Sequence, residues 1–143
     1  MFVYSVKFIC GTQNPPTAAP VCTPVRQGVY ATEINIHNFQ TNAPAAIQKR
    51  ALVLVHNDSP VGREPGIARP QPFASITLPP GTATMDDCCS LQGPLNLSLS
   101  ALNIGFLEIL SNVALIVTAV YTATDLRATT ISIDVQSINP QQV

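Results

Sequence analysis

Apolar and polar residues alternate along several short segments of this chain, and alternation is the pattern of a β-strand with one buried face. Residues 29–38 show it most cleanly, because odd and even positions differ in character throughout the segment. One face carries Tyr30, Thr32, Ile34 and Ile36, and the other carries Ala31, Glu33, Asn35 and His37. The pattern predicts a half-buried strand whose polar face meets solvent.

Six further segments are rich in apolar, β-branched and aromatic residues, which favour strands. They are residues 3–9, 47–55, 73–78, 101–110, 113–122 and 129–138. Proline and glycine recur in the stretches at 11–24, 57–72 and 79–81, so these are predicted loops and turns. Residues 86–93 place two acidic residues ahead of a short run that ends in glycine, which predicts a single helical turn.

Seven or eight strands at short spacing, with almost no helix, indicate an all-β chain. The expected fold is a single-domain antiparallel β-sandwich or jelly roll that spans residues 1–143 and contains at most one short helix. A chain of 143 residues is long enough to bury one core without a second domain.

The composition of the chain excludes two classes of partner. Charged residues form 10% of the chain, against roughly 25% in average globular proteins. The net charge of -1 gives no field that would hold nucleic acid, and it leaves only weak repulsion between copies. The longest apolar stretch, residues 104–121, contains Glu108 and Asn112, so no membrane insertion is expected. The composition therefore favours self-association.

The N-terminal residues MFVYSVK do not form a secretory signal. They lack the basic start, the long apolar centre and the small-residue cleavage site of such a segment. Either the protein stays inside its producing cell or a leader has been removed, so the sequence assigns no compartment.

Residues that could carry chemistry are few. There are two histidines, His37 and His56, and the chain has no HxH, HExxH or CxxC pattern and no glycine-rich phosphate loop. We therefore predict no catalytic residue, no metal ion and no cofactor. The enzyme hypothesis that stays open pairs Cys88 or Cys89 with one of the histidines as nucleophile and base.

The four cysteines are candidates for disulfides. Cys10 and Cys22 bracket the proline-rich loop, and a bridge between them would close it. Cys88 and Cys89 are adjacent, so a bridge between the two would strain the chain, and each more easily reaches a different partner in the same subunit or the next. The alternative is that all four are reduced small residues in a cytosolic protein.

Two regions are predicted to form a contact surface between subunits. The first is the N-terminal strand with Val3, Tyr4, Val6 and Phe8, because a strand that begins near the terminus is free to pair with another chain. The C-terminal segment 131–143 is expected to contribute in the same way. The second comprises the exposed positions Glu33 and His37 of one strand with Arg63 and Glu64 of the long loop.

Four motifs resemble a family of small bacterial β-sandwich proteins of uncharacterised function. They are YSVKFICG at 4–11, YATEINIHN at 30–38, GREP at 62–65 and AVYTATDL at 119–126. The order of elements is also loosely similar to sensory rhodopsin transducers and to the subunits of bacterial spore appendages. In the latter the cysteine pair lies in an N-terminal arm, whereas here it lies at Cys88 and Cys89. The resemblance implies a β-sandwich and supplies no activity.

The leading functional hypothesis is a non-enzymatic structural subunit that assembles with copies of itself into a filament, appendage or shell. Low charge, apolar strands and paired cysteines motivate it. The alternative is a soluble ligand-binding or signal-transducer module, which would use a loop end of the sandwich or the strand that bears Glu33 and His37.

Overall fold

The computed structural model describes residues 1–17 and 22–143 and contains nine strands and one helix in that range. The elements are β1 (Phe2–Gln13), β2 (Gly28–His37), β3 (Ala45–Val55), β4 (Gln71–Leu78), β5 (Ala83–Asp87), α1 (Cys88–Leu95), β6 (Leu102–Ser111), β7 (Ile116–Thr124), β8 (Ile131–Ile138) and β9 (Gln141–Gln142). Every strand pair is antiparallel. The predicted all-β fold with one short helix is confirmed, and the five-residue β5 and two-residue β9 are additions to the seven predicted strand segments.

The strands form two layers of a sandwich-like fold. The first layer, layer A, has the order β4-β3-β6-β1, and β9 pairs with the start of β1. Layer B has the order β5-β2-β7-β8. The layers are joined at one corner, where Gly11–Gln13 of β1 pair with Gly28–Tyr30 of β2. At this corner Gly11 has a φ of +103°, and a Cβ there would lie 1.8 Å from the carbonyl oxygen of Ala101, so only glycine fits.

One apolar core lies between the layers. Alternate residues of β1, β2, β3, β6 and β7 enter it, which is why the half-buried pattern was visible in the sequence. The core combines Tyr4, Val6, Phe8, Ile47, Leu107 and Ile109 of layer A with Ile34, Ile36, Val117 and Ala119 of layer B. The helix α1 adds Leu91 and Leu95. No helix in residues 1–17 and 22–143 is long and apolar enough to cross a membrane.

Polar side chains connect the two layers at the margins of this core. The hydroxyl of Tyr4 donates to the carbonyl of Leu115 at 2.9 Å and accepts from its N–H at 2.7 Å. The hydroxyl of Tyr121 donates to the carbonyl of Lys7 at 2.7 Å. Because both tyrosines bury their rings and place their hydroxyl groups on backbone, they satisfy polar groups that neither layer pairs internally.

A buried ion pair also joins the layers. Lys49 of β3 and Asp86 of β5 both point inward, their side chains are 6% and 9% exposed, and Nζ lies 2.7 Å from Oδ2. In the described part of the chain, no donor other than this ammonium group approaches Oδ2. Each charge therefore depends on the other for its stabilisation inside the protein.

The next residue, Asp87, begins the helix. Its carboxylate accepts the Ser90 N–H at 2.8 Å, and the Ser90 hydroxyl accepts the Asp87 N–H at 2.9 Å. This reciprocal capping satisfies the backbone N–H groups of Asp87 and Ser90 at the start of the helix. The two acidic residues at the start of segment 86–93 had predicted a helix here. The helix ends at Asn96, which adopts the left-handed conformation.

A disulfide links Cys10 of β1 to Cys88 at the start of α1, so it joins layer A to layer B. The bridge between Cys10 and Cys22 that the sequence suggested is wrong, because β1 carries Cys10 into the core, where Cys88 meets it. Cys22 and Cys89 are exposed and unbonded. Cys88 and Cys89 are thus not bonded to each other, as their adjacency predicted, but only Cys88 has a disulfide partner in the subunit.

The expectation of a free N-terminal strand is corrected by the topology. β1 pairs with β6 along Phe2–Gly11, and its other edge pairs with β9 and β2 at its two ends. Tyr4, Val6 and Phe8 are fully buried. These three side chains lie in the core of their own subunit, so they cannot form a contact surface, and removing residues 1–9 would remove a central strand.

The buried ion pair gives a stability prediction. Lys49→Met leaves the buried Asp86 carboxylate without its cation, and we expect it to lower the free energy of unfolding by about 3–5 kcal/mol. Replacing both residues, as Lys49→Met with Asp86→Leu, should recover most of this loss because no charge is then buried. Urea unfolding measures both values. A single variant as stable as the native protein would contradict the prediction.

The disulfide gives a second stability prediction. It spans a sequence separation of 78 residues, and the chain-entropy model gives about 4–5 kcal/mol for a loop of that length. We expect Cys10→Ala with Cys88→Ala to lose roughly this much in denaturant unfolding. Cys22→Ser with Cys89→Ser is the matched control and should stay within about 0.5 kcal/mol, because both side chains are exposed. Equal losses in the two pairs would contradict a structural role.

Candidate interaction surface

The outer face of layer B carries several of the exposed large apolar side chains of the molecule. The strand register aligns its outward residues in rows across β2, β7 and β8. The rows are Val29, Thr124 and Ile131, then Ala31, Thr122 and Ile133, then Glu33, Val120 and Val135. We call these nine positions the layer B patch. Apart from Glu33, its members are apolar or threonine.

The strand β8 contributes the most exposed part of the patch. Ile131, Ile133 and Val135 are 72%, 65% and 64% exposed, although β-branched apolar residues normally pack against a second layer. Seven of the eight residues of β8 are exposed, so neither of its faces is covered. β8 extends the sheet beyond the core that the two layers share.

The outer edge of β8 lacks the features that hinder pairing with another chain at the other sheet edges, β4 and β5. β8 pairs with β7 through all eight residues, and it contains no proline, lysine or arginine. At the other sheet edges, β4 contains Pro72 and a register shift against β3, and β5 has only five residues. Proline, irregularity and shortness are common ways to prevent an edge from pairing with another chain. β8 uses none of them.

Charge is placed at the two ends of the patch. Glu33 lies directly opposite Asp87 in the β2–β5 register, and like charges in that position repel. Arg127 is exposed in the turn between β7 and β8, at the other end. Within residues 1–17 and 22–143 the ion pairs are Lys49 with Asp86 and Arg50 with Glu108, so none of these three charges is paired inside the subunit.

The turn that precedes β8 is organised by Asp125. Its carboxylate accepts hydrogen bonds from the N–H of Thr129 at 2.7 Å and from the hydroxyl of the same residue. These hydrogen bonds favour the ionised form and lower the pKa of Asp125 below its usual value of 3.8. Ala128 takes the left-handed conformation that this tight turn requires.

The inward side of the β7–β8 pair has a different character. Tyr121 of β7 reaches back to layer A, and burial raises the pKa of its hydroxyl, with the negative charge of Asp134 as the lesser cause. Asp134 lies opposite Tyr121 in the register and is exposed. The inward side of β8 is polar at Ser132, Asp134 and Gln136, and Ile138 at its end packs against the core.

The residues proposed from sequence fall in several places. Glu33 lies in the layer B patch and lines a shallow depression of about 250 Å³ that also contains Cys89. His37 is exposed at the end of β2 on the same outer face. Arg63 and Glu64 are exposed in the loop after β3, in layer A, and Val3 is partly buried between β6 and β9. The structure does not gather these positions into one site.

The residues with potential for catalysis or metal binding are also apart. Cys88 is bonded to Cys10 and is no longer a thiol. His56 holds the end of α1, with Nε2 3.1 Å from the carbonyl oxygens of Leu95 and Asn96. Across the described part of the chain, no group of three or more His, Cys, Asp or Glu side chains is placed to hold a metal ion.

Comparison with known proteins returned no match to a protein-family model, to a curated protein or to a solved structure. The family resemblances drawn from sequence motifs therefore stay predictions. Function is inferred here from the geometry of the surface alone.

The turn at Asp125 predicts a local pH response. Because the folded pKa lies below 3.8, the stabilisation of the turn is present above that pH and is lost as the pH falls through the folded pKa. We expect the Thr129 amide resonance to titrate with a midpoint below 3.8. Two-dimensional NMR during acid titration measures it, with Asp125→Asn as the control that removes the transition. A midpoint at or above 3.8 would contradict the assigned hydrogen bonds.

Proposed function

We propose that this protein is a non-enzymatic structural subunit that assembles with copies of itself. The observation that carries the proposal is the strand β8, which exposes both faces, an unpaired edge and three β-branched apolar side chains. Natural proteins rarely leave such a strand bare, since it offers backbone hydrogen bonds and apolar area to another chain. Assembly covers both.

The charge balance supports the same function. A net charge of -1 on a chain of 15.2 kDa gives copies little mutual repulsion. The two layers are also tied by the disulfide and by the buried ion pair, so the subunit keeps a rigid shape. Rigid subunits lose less conformational entropy on association than flexible ones.

The exposed thiols of Cys22 and Cys89 supply a covalent complement to this assembly. When a disulfide such as oxidised glutathione is the oxidant, two thiols on different subunits form one disulfide and release two molecules of reduced glutathione. Because Cys10 and Cys88 already pair within the subunit, only Cys22 and Cys89 take part. The resulting links would resist denaturant until a reductant is added.

The proposal predicts concentration-dependent assembly. Size-exclusion chromatography with light scattering should give masses above 15.2 kDa that rise with protein concentration. Sodium sulfate should strengthen assembly because it favours apolar burial. Negative-stain microscopy then distinguishes a filament from a closed shell.

The outcome that contradicts the proposal is a monomer at all concentrations, with and without sulfate, and no particles on the grid. Non-reducing gels after treatment with oxidised glutathione test the covalent part separately. Dimers and higher species should appear in the native protein and be absent from Cys22→Ser with Cys89→Ser.

A further inference from the structure

The layer B patch combines an apolar centre with opposite charges at its ends, and this arrangement is complementary to itself. Ile133 and Thr122 lie in the central row. Arg127 lies beyond one end, in the turn where the Asp125 carboxylate is held by Thr129. Glu33 with Asp87 lies at the other end. A surface of this kind matches a copy of itself that is turned through 180°.

We infer that the layer B patch is the interface with a second copy, and that the two copies are related by a two-fold axis across the strands near Ile133. Such an axis reverses the strand direction of the partner. The β8 strand of one copy then lies over that of the other. The Arg127 end of each copy lies over the Glu33 and Asp87 end of its partner, and both repelling acidic groups gain a cation.

The size of the face agrees with a second copy as occupant. The four strands of layer B have 5, 10, 9 and 8 residues in β5, β2, β7 and β8. With strands about 4.8 Å apart and a rise of about 3.3 Å per residue, the outer face measures roughly 500 Å². Two such faces bury about 1,000 Å², which is the lower limit for a biological interface. The two B layers then stack face to face in the middle of four layers and bury Ile131, Ile133 and Val135 between them.

This inference rests on the proposed function and adds the surface and the symmetry through which the copies meet. The first test compares Ile131→Lys with Ile67→Lys. Both isoleucines are 72% exposed in the subunit, but Ile67 lies in the loop between β3 and β4, away from the patch. Analytical ultracentrifugation should show self-association weakened roughly tenfold or more for Ile131→Lys and unchanged for Ile67→Lys.

A charge-swap cycle tests the symmetry. Arg127→Glu and Glu33→Arg should each weaken self-association several-fold because each creates a like-charge contact across the axis. The double variant restores opposite charges at both ends and should return within about threefold of the native dissociation constant. Circular dichroism before and after heating verifies that each variant folds.

The outcomes separate the two proposals. If the native protein assembles and Ile131→Lys assembles equally well, the interface is wrong while the structural function stands. If the single charge variants weaken assembly and the double variant shows only the sum of their losses, the two-fold arrangement is wrong. If the native protein stays monomeric and binds phosphatidylcholine vesicles in a manner that Ile131→Lys abolishes, the occupant of the patch is lipid, and both proposals are overturned.

Discussion

The ion pair between Lys49 and Asp86 constrains how the two layers can close. In the described part of the chain neither charge has another oppositely charged partner, so β3 and β5 must place these side chains opposite each other. Since side chains alternate along a strand, a slip of β5 by one residue against β2 would expose Asp86 and turn Asp87 inward. The helix would then lose its cap and Cys88 would leave Cys10. The positions of Asp86, Asp87 and Cys88 therefore all depend on the register between β5 and β2.

Much of the fold follows from the sequence, because strands with one buried face leave a period of two in the residue pattern. The alternation at residues 29–38 and the acidic start of the helix are visible without any long-range information. The partners of individual residues are not visible in the sequence. Alternation places Lys49 on the face of Ile47 and Ala51, but nothing in the sequence identifies Asp86 as its partner. The choice of Cys88 over Cys22 by Cys10 likewise depends on which strands meet in three dimensions. Such pairings are properties of the topology.

At the candidate surface, the sequence pattern is visible but does not say what covers the apolar face of the strand. β8 has the alternation of a half-buried strand, with Ile131, Ile133 and Val135 on one side. In the subunit these residues are exposed. A period of two reports that one face of a strand will be covered, but it cannot distinguish cover by the same chain from cover by another. The N-terminal strand has a similar pattern and proved to be central.

The adjacent cysteines have a mechanical consequence. Cys88 is bonded to Cys10 of β1, the strand that joins the two layers, and Cys89, the next residue, is exposed at the surface. A load applied at the Cys89 sulfur would travel through covalent bonds to β1 without passing through the hydrogen bonds of β5 or the turns of α1. Those hydrogen bonds would break at far lower tension than a covalent backbone. Covalent bonds alone therefore connect an exposed sulfur to β1, the strand that joins the two layers.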